Sequence, residues 1–164
     1  MIHIVKATAA DLKTINTIAH KTWPLTYSEI LSPEQLAYML DAFYSDKALQ
    51  ENIANGHEFI LAKENEMCLG FASFEHHYED GDATRIHKIY ILPETQGKGI
   101  GKLLINGIAD FAKANQSHTL LLNVNRFNKA LTFYQKMGFE IMQEIDIELE
   151  HGYLMEDYII EKRL

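Results

Sequence analysis

The stretch Gln96-Gly97-Lys98-Gly99-Ile100-Gly101-Lys102 holds the residue types best suited to chemistry. Its three closely spaced glycines let the backbone approach a ligand and adopt dihedrals that other residues avoid. An apolar strand precedes the turn and a helical pattern follows it. The turn therefore presents the unpaired N–H groups of a helix start and the positive end of its dipole. That arrangement binds anions, phosphates above all, and Lys98 and Lys102 add positive charge. Two phosphate-binding patterns fail here. The P-loop needs a longer gap between its glycines and Ser or Thr after its lysine, where this chain has Leu103. The dinucleotide fingerprint needs Gly where Lys102 stands, and an acid after the next strand, where Asn123 and Asn125 stand. A nucleotide-binding α/β protein is disfavoured on both counts. A third pattern, Gln/Arg-x-x-Gly-x-Gly/Ala, matches in full at Gln96, Gly99 and Gly101. On the glycines alone, a tight strand-to-helix turn with no ligand is the competing reading.

A second candidate lies downstream, in the run from Asn128 to Phe139. It reads as a short helix closed by Gly138, a C-cap residue, and then a strand start. Ala130 and Phe133 pack inward, and Tyr134 sits beside that face, so its hydroxyl is placed to enter a cleft between strands. Taken alone, a helix tyrosine is more often an amphipathic core residue.

The elements that must position these residues follow from periodicity and punctuation. Ile2 to Val5 reads as a strand. Thr8 and Asp11 sit close to a capping box, and Leu12, Ile15, Ile18, Ala19 and Trp23 follow at helical spacing until Pro24 ends or bends the helix. Ser32 and Pro33 open a second helix with Leu36, Met39, Leu40 and Phe43 inward. Lys47 to Ile53 is a short amphipathic stretch. Phe59 to Ala62 and Met67 to Phe74 form a hairpin around Glu64-Asn65-Glu66, and Arg85 to Leu92 is a third strand beyond a polar loop. A long helix from about Gly99 to Asn115, a strand from Thr119 to Val124, a helix from Asn128 to Met137 and strands over Phe139–Glu148 and Tyr153–Glu161 complete the order βααβββαβαββ. This is one α/β domain spanning 1–164, with a single sheet covered by helices.

Composition narrows the function classes. Apolar residues make up 47% and charged residues 23%, the profile of a soluble globular protein. Fifteen Lys and Arg against 23 Asp and Glu give a net charge of −8. This argues against general affinity for nucleic acid or anionic membrane. Cys68 is the single cysteine, so there is no internal disulfide and no cysteine-based zinc site. No signal-peptide core is present, and no apolar run approaches the ~20 residues of a membrane span. The expectation is a cytoplasmic protein. No metal is implied: His76 and His77, read as neighbours on a strand, point to opposite faces.

The paired motifs at this spacing resemble the GCN5-related N-acetyltransferase (GNAT) family. The match covers roughly Arg85 to Phe139, and the element order agrees over the whole chain. The resemblance implies the acyl-CoA N-acyltransferase fold, a mixed and mostly antiparallel sheet flanked by helices, with acetyl-CoA as co-substrate. The backbone of Gly97, Lys98, Gly99, Ile100, Gly101 and Lys102, with Gln96, would cradle the pyrophosphate. Ile89, Tyr90 and Ile91 would align with the pantetheine arm, one of their N–H groups serving as oxyanion donor. Asn128 would contact CoA near the arm, and Tyr134 would donate a proton to the departing thiolate. The amine would attack directly, leaving Cys68 no nucleophilic role. Two features depart from the family pattern. Only Lys129 separates Asn128 from Ala130, one residue fewer than is common, and Asn123 stands where some members carry a glutamate base. Glu75, His76, His77 and His87 are the alternative bases.

Trp23 and Tyr27 would line the acceptor site, while Tyr38 is better read as core. The N-terminal turn and the C-terminal Tyr153–Tyr158 run resemble the branch that includes bacterial polyamine acetyltransferases. The expected acceptor is a small-molecule or peptide amine, a polyamine among them. A catalytically silent acyl-CoA-binding sensor module is the alternative, and homodimer formation through exposed strand edges is compatible with the chain.

Overall fold

In the computed structural model, which describes residues 1–164, the chain runs β1 (Ile2–Lys6), α1 (Leu12–Tyr27), α2 (Pro33–Tyr44), α3 (Asp46–Ala54), β2 (Glu58–Glu64), β3 (Met67–Glu75), β4 (Ala83–Ile91), α4 (Ile100–Ala114), β5 (Thr119–Asn125), α5 (Ala130–Lys136), β6 (Glu140–Glu148) and β7 (Leu154–Arg163). The strands form one sheet in the order β1-β2-β3-β4-β5-β7-β6. Every pairing is antiparallel except β4 with β5. This is the expected mixed, mostly antiparallel sheet with helices on its faces.

Two apolar layers hold the helices to it. On one face, Leu104, Ile105 and Ile108 of α4 pack on Ile60, Ala72, Phe74, Ile86, Leu120 and Leu122. On the other, Ile15, Ala19 and Trp23 of α1, Met39 and Leu40 of α2 and Leu49 of α3 cover Phe59, Leu61 and Phe71. The local signals work as read. Ser32 Oγ accepts from the Gln35 N–H at 3.1 Å with Pro33 in the first turn. The Thr8 N–H donates to Asp11 Oδ2 at 2.8 Å. The β2–β3 hairpin turns at Asn65 with φ 56°, a left-handed value that asparagine tolerates.

Three expectations are corrected. The stretch Lys47–Ile53 belongs to a third helix, α3, opened by Ser45 Oγ accepting from the Ala48 N–H at 3.1 Å. Pro24 does not end α1, which runs on to Tyr27. Proline removes one ladder hydrogen bond, the one to the His20 carbonyl, and the helix continues past it; nearby, Thr26 Oγ1 donates to the Thr22 carbonyl at 3.0 Å and Thr22 Oγ1 to that of Ala19 at 3.3 Å. Buried Trp23 and Tyr27, with ring centroids 4.7 Å apart, anchor the last turns. The third correction concerns His76 and His77, which lie past the end of β3, with His77 at φ 52°.

Candidate active site

Strands β4 and β5 pair only from Ala83–Ile86 to Thr119–Leu122. Beyond that point they separate, leaving the side of β4 from His87 to Ile91 unpaired with β5. A cavity of about 810 Å³ fills the opening. Its walls come from β4, β5, the end of α1, the glycine turn and α5.

The glycine turn forms the outer end. Gly97 has φ 89° and Gly99 φ 76°, and a Cβ at either position would meet nothing within 4 Å. The glycines are therefore required by backbone conformation, and the space beside them is free for a ligand. Gly101 is constrained by packing, since a Cβ there would stand 3.0 Å from Phe133 Cζ and 3.2 Å from Ile91 Cδ1. The turn opens the fifteen-residue α4, so unpaired N–H groups face the cavity beside Lys102. An open cleft ending in such a cradle fits an extended ligand with a phosphorylated end.

Tyr134 lies on the opposite wall, 6% exposed, with Phe133 and Phe139 edge-on to its ring. Burial pushes its phenol pKa well up, so the hydroxyl carries its proton throughout the working pH range. Asn128 lines the cavity too, but its Oδ1 is occupied, accepting the Ala130 N–H at 2.8 Å at the start of α5. The Tyr27 hydroxyl pairs with the Tyr90 hydroxyl at 2.9 Å.

Tyr27 lines the cavity as expected, and Trp23 does not. Trp23 is 4% exposed and packs against Tyr27, Phe43, Tyr44 and Tyr90. Because α1 continues through Pro24, helical periodicity turns Trp23 into the core. Tyr38 is half-buried, bonded to Glu150 at 3.3 Å.

The base candidates separate. His76 is bonded to Thr84 Oγ1 at 2.8 Å and stands 3.3 Å from Glu58, away from the cavity walls. Glu75 and His87 come together, His87 Nε2 lying 2.9 Å from Glu75 Oε1. The sequence reading did not include His57, whose Nε2 lies 3.4 Å from the same oxygen and whose ring stacks on that of His87 at 4.0 Å. The placement of His87 depends on a bulge. Ser73 pairs with Lys88 and Phe74 with Ile86, so His87 is an extra residue in β4. Asn123 lines the cavity, and Asp157, a 2% exposed carboxylate, lies on the neighbouring strand β7. Asp157 does not line the cavity.

Burial holds His57 neutral, lowering its pKa from 6.5 to about 4, and lowers that of His87 to about 2. Below pH 6.5 the unfolded chain takes up protons that the folded chain refuses. The contribution of these groups to stability is therefore full above pH 6.5 and is lost as pH falls toward 4. The urea midpoint is expected to drop across that window. Replacing His57 with Gln should shrink the drop, one of the three histidines whose pKa burial lowers being gone. An unchanged slope would show that burial does not hold this imidazole neutral.

Comparison with known proteins agrees with this geometry. The family model for the acetyltransferase (GNAT) domain matches residues 27–154. The chain belongs to the GNAT acetyltransferase family. Among its relatives, the spermidine N(1)-acetyltransferase of Thermoplasma acidophilum is 27% identical over 146 residues, 85% of this chain and 89% of that protein. The L-amino acid N-acyltransferase MnaT of Escherichia coli is 28% identical over 93 residues, 55% of this chain and 54% of that protein. The crystal structure of the PaiA N-acetyltransferase from Thermoplasma acidophilum, in complex with coenzyme A, superposes with TM-score 0.83 at 25% identity, over 100% of this chain and 99% of that one. This GNAT chain is an N-acetyltransferase that uses acetyl-CoA. No helix is long and apolar enough to cross a membrane.

Proposed function

We propose that this enzyme passes the acetyl group of acetyl-CoA directly to the primary amine of a small acceptor. The observation that carries the reading is the separation of β4 from β5, with the glycine cradle at one end and Tyr134 on the wall. The N–H groups of Gly97 to Lys102 hold the pyrophosphate, and the free main chain of Ile89, Tyr90 and Ile91 holds the pantetheine arm. One N–H of that strand receives the negative charge that develops on the thioester oxygen. The amine nitrogen attacks the carbonyl carbon, a C–N bond forms and the C–S bond breaks. Tyr134 gives its proton to the leaving thiolate.

The amine's proton leaves through His87 and Glu75. With Glu75 Oε1 accepting from the Nε2–H, Nδ1 of His87 is left to accept a proton. Proton uptake at Nδ1 is matched by release from Nε2 to Glu75, so the desolvated imidazole need not hold a charge for long. Tyr27 shapes the acceptor end. Likeness to a spermidine acetyltransferase and to an amino-acid acyltransferase supports a small aliphatic amine over a folded protein surface.

The test is thiol release from acetyl-CoA across a panel of polyamines, amino acids, aminoglycosides and short peptides. Release that depends on one amine class is expected. Tight acetyl-CoA binding with no release from any amine would overturn direct transfer and favour a silent binding module.

A further inference from the structure

The bulge at His87 has an electrostatic consequence. Ser73 and Glu75 are two apart on β3 and share a face. Their cross-strand partners, Lys88 and Arg85, share it too, although an unbulged strand would turn them to opposite faces. Two cations thus stand together on the sheet face that α1 to α3 partly cover, at the end those helices leave open. Lys88 and His87 line the cavity.

Neither cation forms an ion pair with a carboxylate of the chain. The Lys88 ammonium donates to Asn52 Oδ1 at 3.0 Å and lies 5.5 Å from the centre of the Tyr44 ring. Arg85 donates through Nη1 to the Tyr78 hydroxyl, while its Nε is buried without a partner. Ser73 Oγ, across from Lys88, is likewise buried and unpartnered. Of the nearby carboxylates, Glu75 is already engaged by two imidazoles, and Asp157 forms no ion pair with either cation. What this end of the cavity lacks is an acceptor of hydrogen bonds bearing negative charge. Desolvation, with Arg85 adding to it, lowers the Lys88 pKa to about 8, the direction expected for a cation without a counter-ion. The same two charges repel a divalent cation from His57, Glu75 and His87, whose ligand atoms otherwise lie within 4.8 Å of one another.

We infer that the acceptor is an amino acid, whose carboxylate is held by Lys88 at the cavity wall, with the Arg85 charge beside it, while its amine faces the thioester. The inference rests on the proposed acetyl transfer and selects its substrate class. A polycation such as spermidine would place positive charge against both side chains. Lys88 sets specificity here, and Asn52 of α3 positions it.

The test compares L-leucine and L-lysine with isoamylamine and cadaverine, the amines they become on losing the carboxylate. Wild-type kcat/KM is expected to favour the amino acids by at least about tenfold. Lys88→Met should erase that preference through KM, and Lys88→Arg should keep it. Equal or better use of the amines, or a preference that survives Lys88→Met, overturns the inference while leaving acetyl transfer intact. A second measurement needs no turnover: calorimetric titration of the N-acetyl derivatives of all four compounds onto the CoA-bound enzyme. The N-acetylamino acids should bind at least about tenfold tighter, and equal affinity, or none, overturns the assignment. If neither series is acetylated while acetyl-CoA binds, direct transfer fails, and the titration alone decides whether Lys88 and Arg85 hold a carboxylate.

Discussion

Tyr134→Phe should lower kcat by about 10²- to 10³-fold and leave the Kd for acetyl-CoA within about twofold of wild type. The substitution keeps the ring, and with it the edge-on contacts to Phe133 and Phe139. Only the hydroxyl is lost, so the cavity wall and the fold are preserved and the thiolate must leave unprotonated. Burial keeps the phenol protonated far above neutrality. Its ionisation should therefore add no falling limb to the pH–rate profile below about pH 10. Single-turnover measurement removes any masking by product release. An unchanged single-turnover rate would take Tyr134 out of the chemistry and leave it a core residue.

The two motifs were legible because each demands a residue type for a backbone or helix-face reason. Gly97 and Gly99 have positive φ, and Gly101 leaves no room for a Cβ, so the sequence must show three glycines there. Tyr134 sits in a short helix with an obvious stop at Gly138, which has φ 101°. The hairpin at Asn65 and the cap at Ser32 were readable for the same kind of reason. Helix α3 was legible only as an amphipathic stretch, since Leu49 alone is buried and its other large apolar residue, Ile53, is exposed. Trp23 was misplaced because Pro24 reads as a break, and nothing local announces that Thr22 and Thr26 will engage neighbouring carbonyls.

The acceptor end was legible only in fragments. His57, Glu75 and His87 come from three separated segments, and their meeting depends on a one-residue bulge that no pattern in β4 signals. Lys88 and Arg85 look like ordinary strand charges until that bulge places them on one face. The −8 net charge argues against general affinity for polyanions, whereas the free charges at the site are positive. Net charge describes the solvated surface. Specificity depends on the few desolvated groups, whose interactions water screens least.

Gly99→Val is expected to weaken acetyl-CoA binding by about 10²-fold while leaving kcat at saturation close to wild type. Gly99 is the N-cap of α4 at φ 76°. A β-branched residue there costs about 1–2 kcal/mol for the left-handed conformation. Relaxing that strain turns N–H groups of the turn away from the pyrophosphate, and each lost hydrogen bond to a charged group costs about 1.5–3 kcal/mol. Steric clash inside the protein is not the cause, since a Cβ at this position meets nothing within 4 Å. Asparagine adopts left-handed dihedrals more readily than valine. Gly99→Asn should therefore recover most of the affinity, to within about tenfold of wild type. Calorimetric titration of acetyl-CoA onto the three proteins separates the explanations. Recovery in the asparagine variant assigns the glycine to backbone conformation. Equal weakening by both variants would mean that the ligand needs the space a side chain occupies, and unchanged binding in both would remove the turn from the CoA site. With Tyr134→Phe, the pair separates binding from chemistry across one cavity: the first variant should move Kd alone and the second kcat alone, as expected if the glycine turn holds the co-substrate and the α5 tyrosine completes the transfer.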